Sequence, residues 1–173
     1  YELQGGSISL DGHDIRSVTQ TSLRSAINLV PDEPFLFSTS VHDNISYGKP
    51  DASREEVEAA ARAAQAHEFI VELDDGYDTV VGERGYDLSG GQRQRISLAR
   101  LFLSDPSVII LDDSTSAIDV EIEERIHRSL KELLRERTTI VIAHRLSTIA
   151  LADRVVLVDD GQIIADGTHQ QLL

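Results

Sequence analysis

Four aliphatic, mostly β-branched residues in a row, Val108-Ile109-Ile110-Leu111, follow Pro106 and run into two carboxylates, Asp112-Asp113. A run without polar alternation is the mark of a strand buried on both faces of a parallel sheet. Thr138 to Ala143 reads as a second buried strand, with His144 at its carboxyl end. Between the two, a helix is expected over 120–136, with Ile122, Ile126, Leu130, Leu133 and Leu134 on one face. Strands alternating with amphipathic helices fix the class as α/β. In open parallel sheets the ligand lies beyond the carboxyl ends of the strands. Asp112 and Asp113 are therefore placed either for chemistry or as a plain helix N-cap pair.

The length, 173 residues with 40% hydrophobic, suits one domain with a real core and a small subdomain. The net charge of −14 is spread along the chain. That argues against nucleic acid or an anionic membrane surface as a direct ligand, since both reward a basic face. A phosphate ligand remains open, because it needs only local amides, a few cations and Mg²⁺. There is no cysteine, so no disulfide and no thiolate chemistry, which fits the cytosol. No apolar run approaches the roughly 18 residues of a membrane span. The sequence has no Met and starts in mid-pattern at Tyr1, as a piece of a longer protein would.

Taken in order, residues 5–12 read as a strand ending in the Asp11-Gly12 turn, and 21–30 as a short helix passing into a strand from Ala26 to Val30. Pro31 and Pro34 then break regular structure, leaving Asp32 and Glu33 in a loop that carries Phe35 and Phe37. Two phenylalanines there serve either as a docking surface or as a buried anchor. Ser53 with Glu56 is a capping box, and an Ala-rich helix is expected from there to about Leu73. Its stripe of Val57, Ala60, Ala61, Ala64 and Ala66 predicts packing on one side. Thr79 to Gly85 is a Gly-punctuated loop. Residues 154–158 and 162–165, around Gly161, read as a closing hairpin.

Leu88-Ser89-Gly90-Gly91-Gln92 opens a helix expected from Gln92 to Ser104. Bare amides at a helix start, beside a hydroxyl and with no Cβ in the way, suit a phosphate oxygen. Ser-Gly-Gly is also an ordinary turn and helix entry.

Set together, Leu88–Gln92, Ile109-Ile110-Leu111-Asp112-Asp113, Ser116-Ala117-Ile118-Asp119 and Ala143-His144-Arg145 resemble the nucleotide-binding domain of ATP-binding-cassette (ABC) transporters. They stand in the order of its signature motif, Walker B strand, D-loop and switch histidine. Thr79-Val80-Val81-Gly82-Glu83-Arg84-Gly85 and Phe35-Leu36-Phe37-Ser38 are similar to the exporter type. The resemblance covers essentially the whole chain. It implies a P-loop NTPase-type parallel core with a small helical subdomain: core at 1–49 and 105–173, helical signature subdomain at 50–104. It further implies ATP and Mg²⁺ as cofactors, a second nucleotide-binding domain and the transmembrane domains of an exporter as partners, and a place on the cytoplasmic face of the cell membrane.

Two departures stand out. The family's P-loop, G-x-x-x-x-G-K-[ST], does not occur in these residues; position 1 corresponds to a point just after it. The fragment alone is expected to bind ATP feebly. The second departure concerns carboxylates. The loop that usually carries a glutamine has Asp32, and the position after the Walker B aspartate, usually glutamate, has Asp113. Asp is one methylene shorter, about 1 Å, and a misplacement of that size lowers a rate by roughly 10²-fold. The resemblance assigns Asp112 and Asp32 to Mg²⁺, and Asp113 and His144 to catalysis as poor base and γ-phosphate donor. Ser89, Gly90, Gly91, Gln92 and Asp119 are assigned to nucleotide held with a head-to-tail partner. Weak hydrolysis at this chain's own site follows. That suits one half of a heterodimeric exporter with a degenerate site, or a tolerated variant in a homodimer. The function implied is an export ATPase; the alternative is a nucleotide-gated dimerisation half with little hydrolysis of its own.

Overall fold

The computed structural model describes residue 3 and residues 5–85, 87–143, 149 and 152–172. Asp11 and Gly12 both hold positive φ, 49° and 81°, as a two-residue hairpin turn requires. They fold β1 (Ser9–Leu10) back onto β2 (His13–Asp14), so the strand expected to end at this turn continues as a small hairpin. Helix α1 (Gln20–Ala26) is capped by Thr19, whose hydroxyl accepts the Ser22 N–H at 3.2 Å. It passes directly into β3 (Ile27–Val30).

β3 pairs in parallel with β4 (Val108–Asp112), and β4 with β5 (Thr138–Ile142). The register aligns Val30, Leu111 and Val141. The chain segments that leave all three strands therefore emerge at one edge of the sheet. β4 is central and largely buried, as its unbroken aliphatic run predicts. β5 departs from the expectation of a strand covered on both faces. It is the last strand of this sheet among the described residues, and Ile140 and Ile142 are 52% and 46% exposed. Beyond it, β6 (Val155–Asp159) and β7 (Gln162–Gly167) form the expected hairpin, followed by α7 (His169–Leu172).

The helical layer is built on α5 (Gly90–Ser104), against which α2 (Val41–Ser46) and α3 (Arg54–Ala63) pack. The Ala-rich stretch is not one helix to Leu73. It breaks after α3 and resumes as α4 (His67–Val71), with Gln65 at φ 54° between them. No glycine marks the break. A half-buried guanidinium does: Arg95 on α5 donates to the Gln65 carbonyl at 2.6 Å and lies 4.5 Å from the Phe69 ring centroid. The stripe itself is right, for Val57, Ala60, Ala61, Ala64 and Ala66 are all buried. Helix α6 (Val120–Leu134) buries Ile126 and Leu130 against the same core.

A second buried polar knot ties the Phe loop to this layer. Asn44, fully buried on α2, donates to the Phe37 and Ser40 carbonyls at 2.9 and 3.0 Å, and its Oδ1 accepts the Phe37 N–H at 2.9 Å. Arg100 of α5 donates to the Asn44 side chain and carbonyl and to the Phe35 carbonyl. Burial pushes the Arg100 pKa down to about 10, still charged at neutral pH. Antiparallel bonds between 39–41 and 79–81 then join this loop to the segment before α5: Val41 N–H to Thr79 and Val81 N–H to Thr39. The two stretches that resemble exporters thus lie side by side.

Asn44→Ala leaves several buried backbone groups unpaired and is expected to cost about 2–4 kcal/mol. Lys49→Ala removes only the half-exposed ion pair with Glu56, worth under about 1 kcal/mol. Thermal midpoints of the two variants should differ accordingly.

Candidate functional site

Asp112 closes β4 opposite Ile142 of β5. Asp113 then leaves the sheet at φ 41°, a left-handed conformation that Asp tolerates better than most residues. Its N–H donates to the Ile142 carbonyl at 3.0 Å and its carbonyl accepts the Ser116 N–H at 3.1 Å. Its Oδ1 is buried with no hydrogen-bond partner among the described residues. Asp32 comes off the neighbouring strand, β3, at the same edge. Its Oδ1 accepts the Ser116 hydroxyl at 2.8 Å. Asp32 and Asp113 are thereby joined through one residue, Ser116. His144 lies outside the described residues.

The start of α5 is a capping box. Ser89 Oγ accepts the Gln92 N–H at 3.2 Å, and Gln92 Oε1 accepts the Ser89 N–H at 2.8 Å. The helix therefore begins at Gly90, two residues before the expected Gln92. The first intrahelical bond is Arg93 N–H to the Ser89 carbonyl, so the Gly90 and Gly91 amides precede the ladder and are open to an anion. Ser89 and Gln92, expected to serve nucleotide, have their first partners in each other. The Ser89 O–H remains a donor. Ser89-x-x-Gln92 was legible as a capping box in the sequence itself.

The two glycines also have a reason inside the chain. A Cβ on Gly91 would lie 2.7 Å from the Ala117 carbonyl oxygen, and one on Gly90 would lie 3.3 Å from the Ala117 Cβ. The 116–119 loop is packed onto the helix start, and Asp119, exposed, stands at the end of that loop as N-cap of α6 without a side-chain cap bond. Arg93 and Arg95 face inward, donating to backbone carbonyls of Leu88 and Gln65. Burial lowers the Arg95 pKa, opposed by the charges of Glu68 and Asp119.

Sequence reasoning missed Gln94. It is 2% exposed on α5. Its Nε2 donates to the Asp32 carbonyl at 3.1 Å and to Ser116 Oγ at 3.0 Å, while its Oε1 accepts the Ala117 N–H at 3.0 Å. Its distance from Ser89, set by the helix repeat, points it inward beneath the glycines, but its partners come from 62 and 22–23 residues away.

No cluster of three or more metal-ligating side chains exists among the described residues. Mg²⁺ held with a nucleotide needs only one or two carboxylates, the rest of its shell coming from phosphates and water. The strand-end acids fit that demand: Asp112 closes β4 only partly buried, and Asp32 is exposed with only one oxygen engaged among the described residues.

Residues 1–116 match the family model described as ABC transporter. The chain belongs to that family. It is 50% identical over its full length to a putative multidrug export ATP-binding/permease protein of Bacillus subtilis, covering 30% of that protein. It is 49% identical to ABC transporter B family member 14 of Arabidopsis thaliana, covering 14%. Among solved structures it is similar to a bacterial Atm1-family ABC exporter with ATP bound, at 45% identity and a TM-score of 0.94, over 99% of this chain and 30% of that one. The chain thus spans less than a third of the length of these relatives. The α/β fold with its parallel sheet is that of an ABC domain. Membership implies binding of ATP.

Gly91→Ala should remove up to about 1 kcal/mol of the glycine's entropic cost but add roughly 1–3 kcal/mol of overpacking against the Ala117 carbonyl. Gly90→Ala meets only a side-chain methyl. The expected order of thermal midpoints is wild type close to Gly90→Ala, with Gly91→Ala clearly lower.

Proposed function

We propose that this chain is the greater part of the ATP-binding domain of an exporter, in which ATP binding and hydrolysis drive transport through membrane-spanning segments elsewhere in the protein. The observation that carries the reading is the match, over 99% of the chain, to an exporter with ATP bound. The domain sits on the cytoplasmic face of the membrane; no described helix is long and apolar enough to cross it.

In this reading the domain pairs head to tail with a second one. Its own site holds Mg²⁺ through Asp112 and Asp32, with Asp113 as base and His144 at the γ-phosphate. Bound Mg²⁺ would screen the triphosphate charge and orient its oxygens. To the partner's site the chain lends Ser89, Gly90, Gly91 and Gln92: the Ser89 hydroxyl and the Gly90 and Gly91 amides at the helix start stabilise the charge of a transferring phosphoryl, and Gln92 holds that start in shape through the capping box. Asp119 lies between the two sites. The division into core segments 1–49 and 105–173 and a signature subdomain at 50–104 belongs to the same reading.

The transmembrane domains dock over the Phe loop. A cavity of about 310 Å³ opens there between Asn28, Leu29, Phe35, Phe37, Tyr47 and Arg100. Phe35 and Tyr47 are 51% and 63% exposed, yet Phe37 stacks on Tyr47 at 4.5 Å and meets Phe35 edge-on at 5.1 Å. The loop's buried anchor is Leu36, which leaves Phe35 exposed and Phe37 partly so, as a docking surface needs. Such an aromatic patch is suited to receive a short apolar segment of a permease part like the one named in the relatives.

One observation favours weak turnover at this site. Asp113 is the shorter acid and one of its oxygens is buried away from solvent, a poor posture for taking a proton from water. The chain then acts chiefly as a nucleotide-gated dimerisation half, paired with a more active partner in a heterodimer.

In the intact transporter, Asp113→Glu is expected to raise ATP turnover by 10-fold or more; unchanged turnover would remove the held-back site from the reading. Tyr47→Ala should leave nucleotide affinity within about twofold while transport per ATP hydrolysed falls, measured in vesicles.

A further inference from the structure

We propose that Gln94 is a positioning residue that clamps the loop carrying Asp32 to the loop 116–119, so that occupancy of this chain's own nucleotide site is passed to the edge formed by Asp119 and the start of α5. The proposal rests on the assignment of Asp32 to the chain's own site.

A Gln side chain offers two N–H donors and one carbonyl acceptor, and all three functions are used here on two separate loops. One N–H holds the Asp32 backbone at 3.1 Å and the other holds Ser116 Oγ at 3.0 Å. The acceptor takes the Ala117 N–H at 3.0 Å. The Ser116 hydroxyl closes the ring by donating to Asp32 Oδ1 at 2.8 Å. This ring orients the Asp32 carboxylate: one oxygen is fixed on Ser116, and the residue itself is exposed. A ligand that pulls on that carboxylate must therefore move Ser116 or pivot about it. Ser116 is bonded through its N–H to the Asp113 carbonyl, and its neighbour Ala117 lies against Gly91. Any shift is thus delivered both to the acid at the end of β4 and to the glycines of α5.

The side chain is almost fully buried, so the clamp works where bulk water does not compete and each missing partner is felt. The same burial predicts that an apolar replacement lowers stability whatever Gln94 does. The informative comparison is therefore with Ser116→Ala, which opens the ring from its half-exposed side.

The test uses the intact transporter, with hydrogen exchange of the Ala117 amide as one readout and turnover as the other. Without nucleotide, Gln94→Leu should speed exchange at Ala117 by 10-fold or more. In the wild type, adding Mg·ATP should change that exchange rate; in Gln94→Leu and in Ser116→Ala the change should be lost. Turnover should fall about 10-fold per folded molecule in either variant, with nucleotide affinity kept within twofold. The double variant should be no worse than the worse single one, as expected for two members of one unit. Independent, additive losses, or a wild-type response to Mg·ATP retained in Ser116→Ala, would overturn the clamp. Loss of nucleotide binding in Asp32→Ala with the Ala117 response intact in the wild type leaves the site assignment standing. No response at Ala117 in the wild type, with nucleotide bound, refutes the coupling alone.

Discussion

Helix α5 has almost no free side, and the rest of the molecule is arranged by what each of its faces demands. Ile96, Leu98, Ala99 and Leu101 are fully buried, which forces α2, α3 and the sheet to close around it. Its polar residues are drawn in as well, Gln94 fully and Arg95 and Arg100 in part, and burying polar groups requires partners. Arg95 finds one in the carbonyl of a broken helix, Arg100 in the Phe loop and Gln94 in the two loops at the sheet edge. The hydrophobic effect supplies the closure. The three polar side chains specify which loop goes where, because an amide or guanidinium misaligned by a residue would lose bonds at a cost of about 1–3 kcal/mol each.

The local grammar of the chain was largely legible. β4 announces itself through an unbroken aliphatic run, and the Ser53–Glu56 box starts α3 as its residue types require. The break at Gln65 was not legible, since alanines continue through it and the deciding group, Arg95, lies 30 residues away. Nor was the exposure of β5: Thr138–Ile142 is as apolar as a covered strand, and only the folded chain shows that the face bearing Ile140 and Ile142 is left open among the described residues. Helix α2 escaped notice because six residues are too few to establish a period: one buried pair, Val41 and Ile45, with Asn44 beside it is all the face it has.

At the site, the acids were found by their position at strand ends and by the likeness to ABC transporters. Their connection was not. Asp32 and Ser116 are 84 residues apart, and no spacing rule links them. The buried Oδ1 of Asp113 is likewise a fact of three dimensions, set by a left-handed backbone and not by residue type.

The close approach of Ala117 to Gly91 has a consequence for how such a surface can change. A residue at the start of a helix is ordinarily free to change. Here the same position is held from behind by its own chain, so acquiring a side chain at 91 would require the backbone at 117 to retreat first. The two segments must change as a pair, and variation at this surface has to be taken up by residues around the point of contact.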